Sequence, residues 1–449
     1  MPSLHSNTSQ LLCLGWTTAR KELKPSTFRN KRSRRFSSFS SVKSRRRSHP
    51  QLAIVDLDWY PPWLSRQLDA LPKDLRDLVP STSRTLKTQE DTTALFSHLE
   101  QYLETDDNLT LDEIVEGMFT EPSEKSCPDL RRQLARQRQV VFTLLGWRTM
   151  LYQPAFNTCG PSSLAIHKAA SQPDSGLVFD TYRVPIDMCN RPLSILLKCF
   201  GNLLPGRSES STQSASETVR VAAGWTPLYP DEVNAQFLQG VMKVSFRWVD
   251  TLALHLDYDK ETRTLSLFAF PSICANALQH GGAIFAFANH EGSPVDPRAN
   301  ADDIRSFLKE VLLSYRLLFG QHAKSRKLFQ RISGPADLPF EQPDTLLSIL
   351  CTAKSLDLEA GDDVFPQDHP VYFAARHFPV LCERVVLLAK ELDGRKPKGI
   401  KDLLRDRRDK LQWWTFWLIS ILGGLSLVLS VIQIALQGVQ ISMESGKSD

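Results

Sequence analysis

Three short constellations carry residue types that can do chemistry. His280-Gly281-Gly282 has the make-up of the loop that presents backbone N–H groups to an esterase oxyanion. That loop works beside a nucleophile on a Gly-x-Ser-x-Gly elbow. The chain has no such elbow, so the tripeptide reads as a turn. Cys159-Gly160-Pro161-Ser162-Ser163 would expose a thiol or hydroxyl on a tight loop, and it also reads as plain loop punctuation. His369 and His377 lie near Asp362, Asp363 and Asp368, residue types that ligate metals. Their spacing puts them on no common face of a helix or strand, which leaves a solvated loop. The phosphate-binding Gly-x-x-x-x-Gly-Lys-Ser/Thr loop, the dinucleotide fingerprint and His-Glu-x-x-His do not occur. No catalytic, cofactor-binding or metal residue is assigned, and no cofactor is expected.

The elements that would position such groups form an α+β body over residues 51–394. Thr92 to Leu103 has Ala94, Leu95, Leu99 and Leu103 near one helical face. Thr110 followed by Glu113 is a capping box for a short helix through Phe119. Pro128 opens a further helix that runs to Gln139. Val140 to Tyr152 and Leu177 to Val184 are rich in β-branched and aromatic residues and read as strands. Val249 to Phe270 reads as a hairpin, with Leu252, Leu254 and Leu256 alternating, a turn over Asp257 to Arg263, and Leu265, Leu267 and Phe268 resuming. Residues 206–217 are a Ser-rich exposed loop. Helical periodicity dominates Ile304 to Phe319, Thr345 to Leu358 and Phe378 to Leu392. Strands thus fall mainly in the middle, with helices toward both ends.

The chain has 449 residues and a net charge of +4, which conceals an asymmetry. Residues 1–50 hold twelve Lys or Arg against Glu22 alone, a net +11, so residues 51–449 carry −7. The mean hydropathy of −0.24 excludes a multi-span protein. The eight cysteines are scattered with no Cys-x-x-Cys, so neither a zinc knuckle nor a dense disulfide framework is expected. They read as free thiols in a reducing compartment.

No charged residue lies between Lys410 and Glu444. Residues 413–436 form a helix of roughly 36 Å at about 1.5 Å per residue, enough to cross a hydrocarbon core roughly 30 Å thick. Trp413, Trp414, Phe416 and Trp417 form an aromatic end, and Leu418, Leu422, Leu425, Leu429 and Ile432 belong to the lipid-facing body of the anchor. Thr264 to His290 is also uncharged, yet Pro271, Gly281 and Gly282 would break the backbone in mid-bilayer. It reads instead as two buried strands joined by a loop. The juxtamembrane segment 395–412 is basic, with Lys401, Arg405, Arg407, Arg408 and Lys410 closest to the span, whereas the tail 437–449 is nearly uncharged. The positive-inside rule then puts the N-terminal side in the cytosol and the tail in the lumen or outside. This is the layout of a tail-anchored protein, and the short non-basic tail favours ER and secretory membranes over the mitochondrial outer membrane. Ser420 and Gly424 have small-xxx-small spacing, and Gln433 and Gln437 are four apart, so a homodimer through the span is one expectation.

Pro397 to Gln437, with Arg405-Asp406-Arg407-Arg408-Asp409 leading into Trp413-Trp414-Thr415-Phe416-Trp417, resembles a group of uncharacterised filamentous-fungal membrane proteins. That group shares an RDRRD…WWTFW ending before a C-terminal span. Leu144 to Tyr152, Thr251 to Asp257 and Leu267 to Cys274 are similar to it as well. The resemblance implies a fungal source and a membrane location, and carries across no activity or catalytic residue.

Residues 1–50 form a basic, Ser-rich arm that cannot bury enough apolar surface to offset its ordering entropy. With an anchor in the bilayer, the nearest polyanion is the anionic leaflet, so residues 20–50 are expected on anionic lipid, and nucleic acid is disfavoured. Ser37 and Ser48 match the preference of basophilic kinases and are the candidate phosphorylation sites. Two readings of the whole follow: a membrane-tethered adaptor for a protein partner, or a membrane-bound enzyme whose site is assembled from distant residues.

Overall fold

The structure is a computed structural model. It describes residues 57–79, 89–103, 108–119, 127–156, 160, 162–167, 181–201, 203–207, 226–290, 299–332, 343–354, 356, 364–394 and 410–445. The chain divides into two units, Met1–Pro50 and Gln51–Asp449, and every described residue belongs to the second.

Four helices of two turns or more open the body, α1 (Tyr60–Ala70), α2 (Gln89–Leu103), α3 (Leu111–Met118) and α4 (Cys127–Thr149), with a single helical turn, Lys73–Arg76, after the first. In α2, Leu95 and Leu99 are buried, as the apolar spacing requires. The start of α3 is the capping box read from the sequence. The Thr110 hydroxyl accepts the Glu113 N–H at 3.2 Å, and the Glu113 carboxylate accepts the Thr110 N–H at 2.8 Å. Two N–H groups that the helix leaves orphaned are thereby satisfied.

The region expected to turn to strand at Val140 does not. It is the second half of α4, and Val140 to Trp147 are all buried. A helix enclosed on every side loses the polar face that gives helical periodicity, so β-branched and aromatic composition misleads there. The short strands β1 (Ser163–His167) and β2 (Thr181–Pro185) pair antiparallel, Ile166 opposite Tyr182. Helix α5 (Leu193–Lys198), strand β3 (Pro227–Leu228) and helix α6 (Ala235–Gly240) follow.

The expected hairpin resolves differently as well. Strand β4 (Ser245–Val249) pairs parallel with β6 (Thr264–Phe268), and β5 (Tyr258–Asp259) lies antiparallel on the other side of β6, giving the order β4-β6-β5. The turn and the returning strand over Leu265, Leu267 and Phe268 match the sequence reading, and the first strand does not. Leu252 to Leu254 form a 3₁₀ turn instead of a strand, and Leu256 sits at φ +59°. The Leu252 N–H is bonded 2.7 Å to the Met150 carbonyl, which ties the turn to the end of α4. Central β6 is buried on both faces from Leu265 to Phe268.

Thr264 to His290 is one strand and then helix α7 (Pro271–His280) with a 3₁₀ turn (Ala283–Phe287), not two strands. Pro271 stands at the first turn, where its missing N–H costs nothing. The core helix α8 (Ala301–Tyr315) packs on α7, is capped by Asn300 and Asp303, and passes into one π-helical turn, Arg316–Gly320. Helices α9 (Ala323–Ile332), α10 (Thr345–Thr352) and α11 (Cys382–Asp393) complete the body. Strand β7 (Tyr372–Phe373) closes antiparallel on β3. The last helix, α12 (Lys410–Ser445), is 36 residues long. The class is α+β, dominated by helix, with three small sheets among the described residues.

Candidate functional site

The feature with the plainest functional meaning is α12. Its apolar stretch Trp414–Gln440 has 27 residues, its most apolar 18-residue window has a mean hydropathy of 2.2, and none of that window is buried against protein. It is therefore long and apolar enough to cross a membrane, at roughly 40 Å for about 1.5 Å per residue. A core helix of a soluble protein would be covered by its neighbours. Leu418, Leu422, Leu425, Leu429 and Ile432 stand bare, and Trp414 and Trp417 are exposed at one end. Phe416 meets Trp417 edge-on, with ring centroids 6.1 Å apart. The Ser430 hydroxyl donates to the Ser426 carbonyl at 2.9 Å, which satisfies it within the helix. The helix does not stop at Leu436 but continues through Gln437 and Gln440. The side chains of Trp413 and Lys410, and all of Lys401, Arg405, Arg407, Arg408, Ser37 and Ser48, lie outside the described residues, as do most of the 206–217 loop and the basic arm.

The three chemical constellations do not converge. His280 ends α7, and Gly281 at φ +76° is its left-handed cap, so this tripeptide is a helix terminus. Gly160 accepts a 3.0 Å hydrogen bond from Gln139 just before β1, while Cys159 and Pro161 lie outside the described residues. The histidines hold a surprise. His369 and His377 are brought together, ring centroids 4.7 Å apart, because the chain doubles back through β7 and a one-turn helix, Ala374–His377. His377 Nδ1 accepts the Phe373 N–H at 2.9 Å. Asp362 and Asp363 lie outside the described residues, and Asp368 is committed to an arginine. Among the described residues no group of three metal-ligating side chains forms.

Three buried ionisable groups, Arg316, Asp344 and Glu310, escaped the sequence reading. Arg316, in the π turn, is fully buried. Its Nε and Nη2 donate to the two Asp368 oxygens at 2.8 and 2.6 Å, and Nη1 donates to the Leu350 and Ala353 carbonyls at 2.9 and 2.8 Å. A Cβ on Gly320 would lie 2.4 Å from that Nη1, so glycine is required there. Asp344 caps α10 and also accepts the Ser272 N–H at 2.8 Å. Glu310 accepts the N–H groups of Val380 and Leu381, at 3.0 and 2.6 Å, just before α11. The signal available for Arg316 was a lone cation inside the apolar run Tyr315 to Phe319.

Two Ser–His contacts occur among the described residues. His322 Nδ1 lies 3.1 Å from Ser325 Oγ, whose hydroxyl donates to Asn234 Oδ1 at 3.1 Å. His255 Nε2 lies 2.7 Å from Ser314 Oγ, the closer likeness to a nucleophile and its base. The tautomer runs against that chemistry. His255 Nδ1 accepts the Phe268 N–H at 3.2 Å, so the neutral ring carries its proton on Nε2 and donates it to Ser314. Ser314 in turn donates to the Val311 carbonyl at 2.7 Å. A base must present an unprotonated nitrogen to the hydroxyl, and both residues are sealed from solvent. The pair is core structure.

Burial moves these groups in opposite directions. It drives the His255 pKa down from 6.5 to about 3, with Arg384 adding to the shift, so the native state refuses a proton that the unfolded chain takes below pH 6.5. That contribution is present at neutral pH and lost as pH falls toward 3. Burial raises Glu310 from 4.5 to about 8 against the pull of the two N–H groups, so its contribution is full below 4.5 and lost as pH rises through 8. Between pH 6.5 and 8 His255 is constant and Glu310 falls. Stability of the body in urea is therefore expected to drop by about 2 kcal/mol over that interval, taking 1.36 kcal/mol per unit. In Glu310→Gln the drop disappears. An unchanged slope in that variant would assign the pH dependence elsewhere.

A cleft bounded by Leu75, Gln139, Phe142, Thr143, Phe156 and Leu164 holds about 20 Å³, room for a water and no organic ligand. Outside α12, the large hydrophobics exposed among the described residues are Leu134, Tyr182 and Tyr229, too few to form an apolar patch. Comparison of the chain with protein-family models, curated proteins and solved structures gives no match.

Proposed function

We propose that this chain is a single-pass membrane protein whose body faces the cytosol and acts by binding a protein partner. The observation that supports it is α12, uncharged over Trp414–Gln440 and apolar on the faces that a soluble fold would have covered. The orientation rests on the eight Lys or Arg from Arg395 to Lys410, against three Asp, on the N-terminal flank. The lumenal side is then the short tail, in an ER or secretory membrane. For the body, the buried Ser314–His255 pair is set in the wrong tautomer for nucleophilic attack, and the Ser325 hydroxyl beside His322 donates its proton to Asn234. The adaptor reading accordingly needs no chemistry from it. Affinity isolation of the detergent-extracted chain, with one protein recovered in fixed ratio, is the expected result.

Glycosylation tests the orientation. Asn7 and Asn108 both begin acceptor tripeptides and stay unmodified if they are cytosolic, whereas an acceptor built beyond Met443 on a lengthened tail is glycosylated. A glycosidase-sensitive shift on the native chain reverses the topology. The same reading puts the basic arm on the anionic leaflet. Its signature is salt-sensitive co-sedimentation of residues 1–50 with anionic vesicles, weakened by acidic replacements at Ser37 and Ser48. Equal binding to neutral vesicles removes the lipid role.

A further inference from the structure

From Gly423 to Gln440 the polar residues of α12 are not scattered around it. Gly423, Ser426, Ser430, Gln433, Gln437 and Gln440 follow one another at intervals of three, four, three, four and three. At about 100° per residue they fall within an arc of about 100°. This is the a/d seam of a heptad repeat, written in small and amide side chains where a soluble coiled coil has leucine. Every other position from Leu425 to Leu436 except Ala435 is Leu, Ile or Val, and these are solvated by lipid chains.

The seam begins with residues that ask for little. Gly423 has open space around its Cα, and Ser430 is satisfied by the Ser426 carbonyl. The glutamines are different. Among the described residues Gln433, Gln437 and Gln440 find no partner in their own chain. At the depth of Gln433, about 24 Å along the helix from Trp417, a carboxamide has neither water nor lipid to bond, while Gln437 and Gln440 come at the far edge of the core. We propose that the seam is covered by the same seam of a second copy of this chain, in a parallel, left-handed dimer of spans; this rests on the membrane reading above. The chemistry selects the occupant. Copies inserted the same way place each residue opposite itself at equal depth. A carboxamide donates and accepts, so Gln433 bonds Gln433 and Gln437 bonds Gln437 across the two-fold axis. Gly423 and Ser426 let the backbones approach at the other end of the seam. A chain of different sequence would have to supply hydrogen-bonding groups at the same heptad spacing and the same depth. The small pair Ser420 and Gly424 lies on another face, roughly 110–150° from the middle of the seam, and takes no part.

The test uses two differently tagged full-length copies in one membrane, extracted in mild detergent, with one tag captured and the other measured. Membrane retention in alkaline carbonate is scored on the same samples. Native copies are expected to be captured together. The double variant Gln433→Leu, Gln437→Leu, which inserts at least as well, should lower capture about tenfold, the loss of two interhelical hydrogen-bonded pairs. The double variant Ser420→Leu, Gly424→Leu should leave it unchanged. Carbonate-resistant native copies that are never captured together overturn the dimer and spare the anchor. Loss at Ser420 and Gly424 with retention in the glutamine variant overturns the seam. Release of the native chain by carbonate overturns the membrane reading, and the dimer with it.

Discussion

Ending the chain at Gln412 is expected to move the protein completely from the carbonate-resistant membrane pellet to the soluble fraction, folded and monodisperse. The size of the effect follows from where the apolar surface lies. Over Trp414–Gln440 nothing covers α12, and on an insertion scale each Leu, Ile or Val contributes about 0.3–0.6 kcal/mol toward the bilayer. The body has the opposite character. It keeps its large side chains inside, from Trp63 and Trp147 to Phe319 and Phe378, and exposes three among the described residues outside α12. A truncated chain still resistant to carbonate would show a second means of insertion and refute single anchoring. A soluble but aggregated product, with no cooperative unfolding, would mean that the body depends on the anchor to fold.

Asp368→Ala should be the most damaging conservative-sized change in the body, costing about 3–5 kcal/mol. It removes the one carboxylate bonded to Arg316 among the described residues and strands a guanidinium that has no exposed surface. The carbonyls of Leu350 and Ala353 remain as acceptors, but carbonyls do not neutralise the charge. Such a loss is a large share of the about 5–15 kcal/mol that holds a typical domain folded. The double change Arg316→Met, Asp368→Ala should recover part of it, because the buried charge is then gone and two carbonyls lose a donor instead. Urea midpoints of the truncated body measure all three forms. A loss under about 1 kcal/mol in the single variant, within the range of an exposed ion pair, would mean that Asp368 gives way to water and the pair is solvated.

The sequence was most legible where the determinants are local. The Thr110–Glu113 box is complete within four residues, and the uncharged run of α12 can be counted directly. The helices near Ile304, Thr345 and Phe378 were also readable, because α10 and α11 keep one polar face and α8 keeps one as far as Lys309. Legibility failed where tertiary enclosure removed the contrast. The second half of α4 is apolar on all sides, and composition alone suggested a strand. Alternation at Leu252, Leu254 and Leu256 was real, but a 3₁₀ turn and a left-handed residue produce it as well as a strand does. His369 and His377 became neighbours through a reversal that has no sequence periodicity. The partners of Arg316 lie 34 to 52 positions away, beyond anything local spacing reports.

The body is closed by contacts between its extremes. Trp59 donates to Ser272 at 2.9 Å, and Glu310 holds the N–H groups that open α11. Arg384, in that same helix, donates to the carbonyls of Ala253 and His255. The Glu310 and Arg384 contacts cannot form until the ribosome has released α11, and by then the apolar helix α12 follows within about 30 residues. At about 5–20 residues per second that leaves roughly 2–6 s. On the proposed membrane reading, folding of the body and capture of the anchor share one short interval of synthesis. A change that slows the last core contacts would deliver an unfinished body to the membrane, with its tryptophans and phenylalanines still open to whatever chaperone is receiving the span.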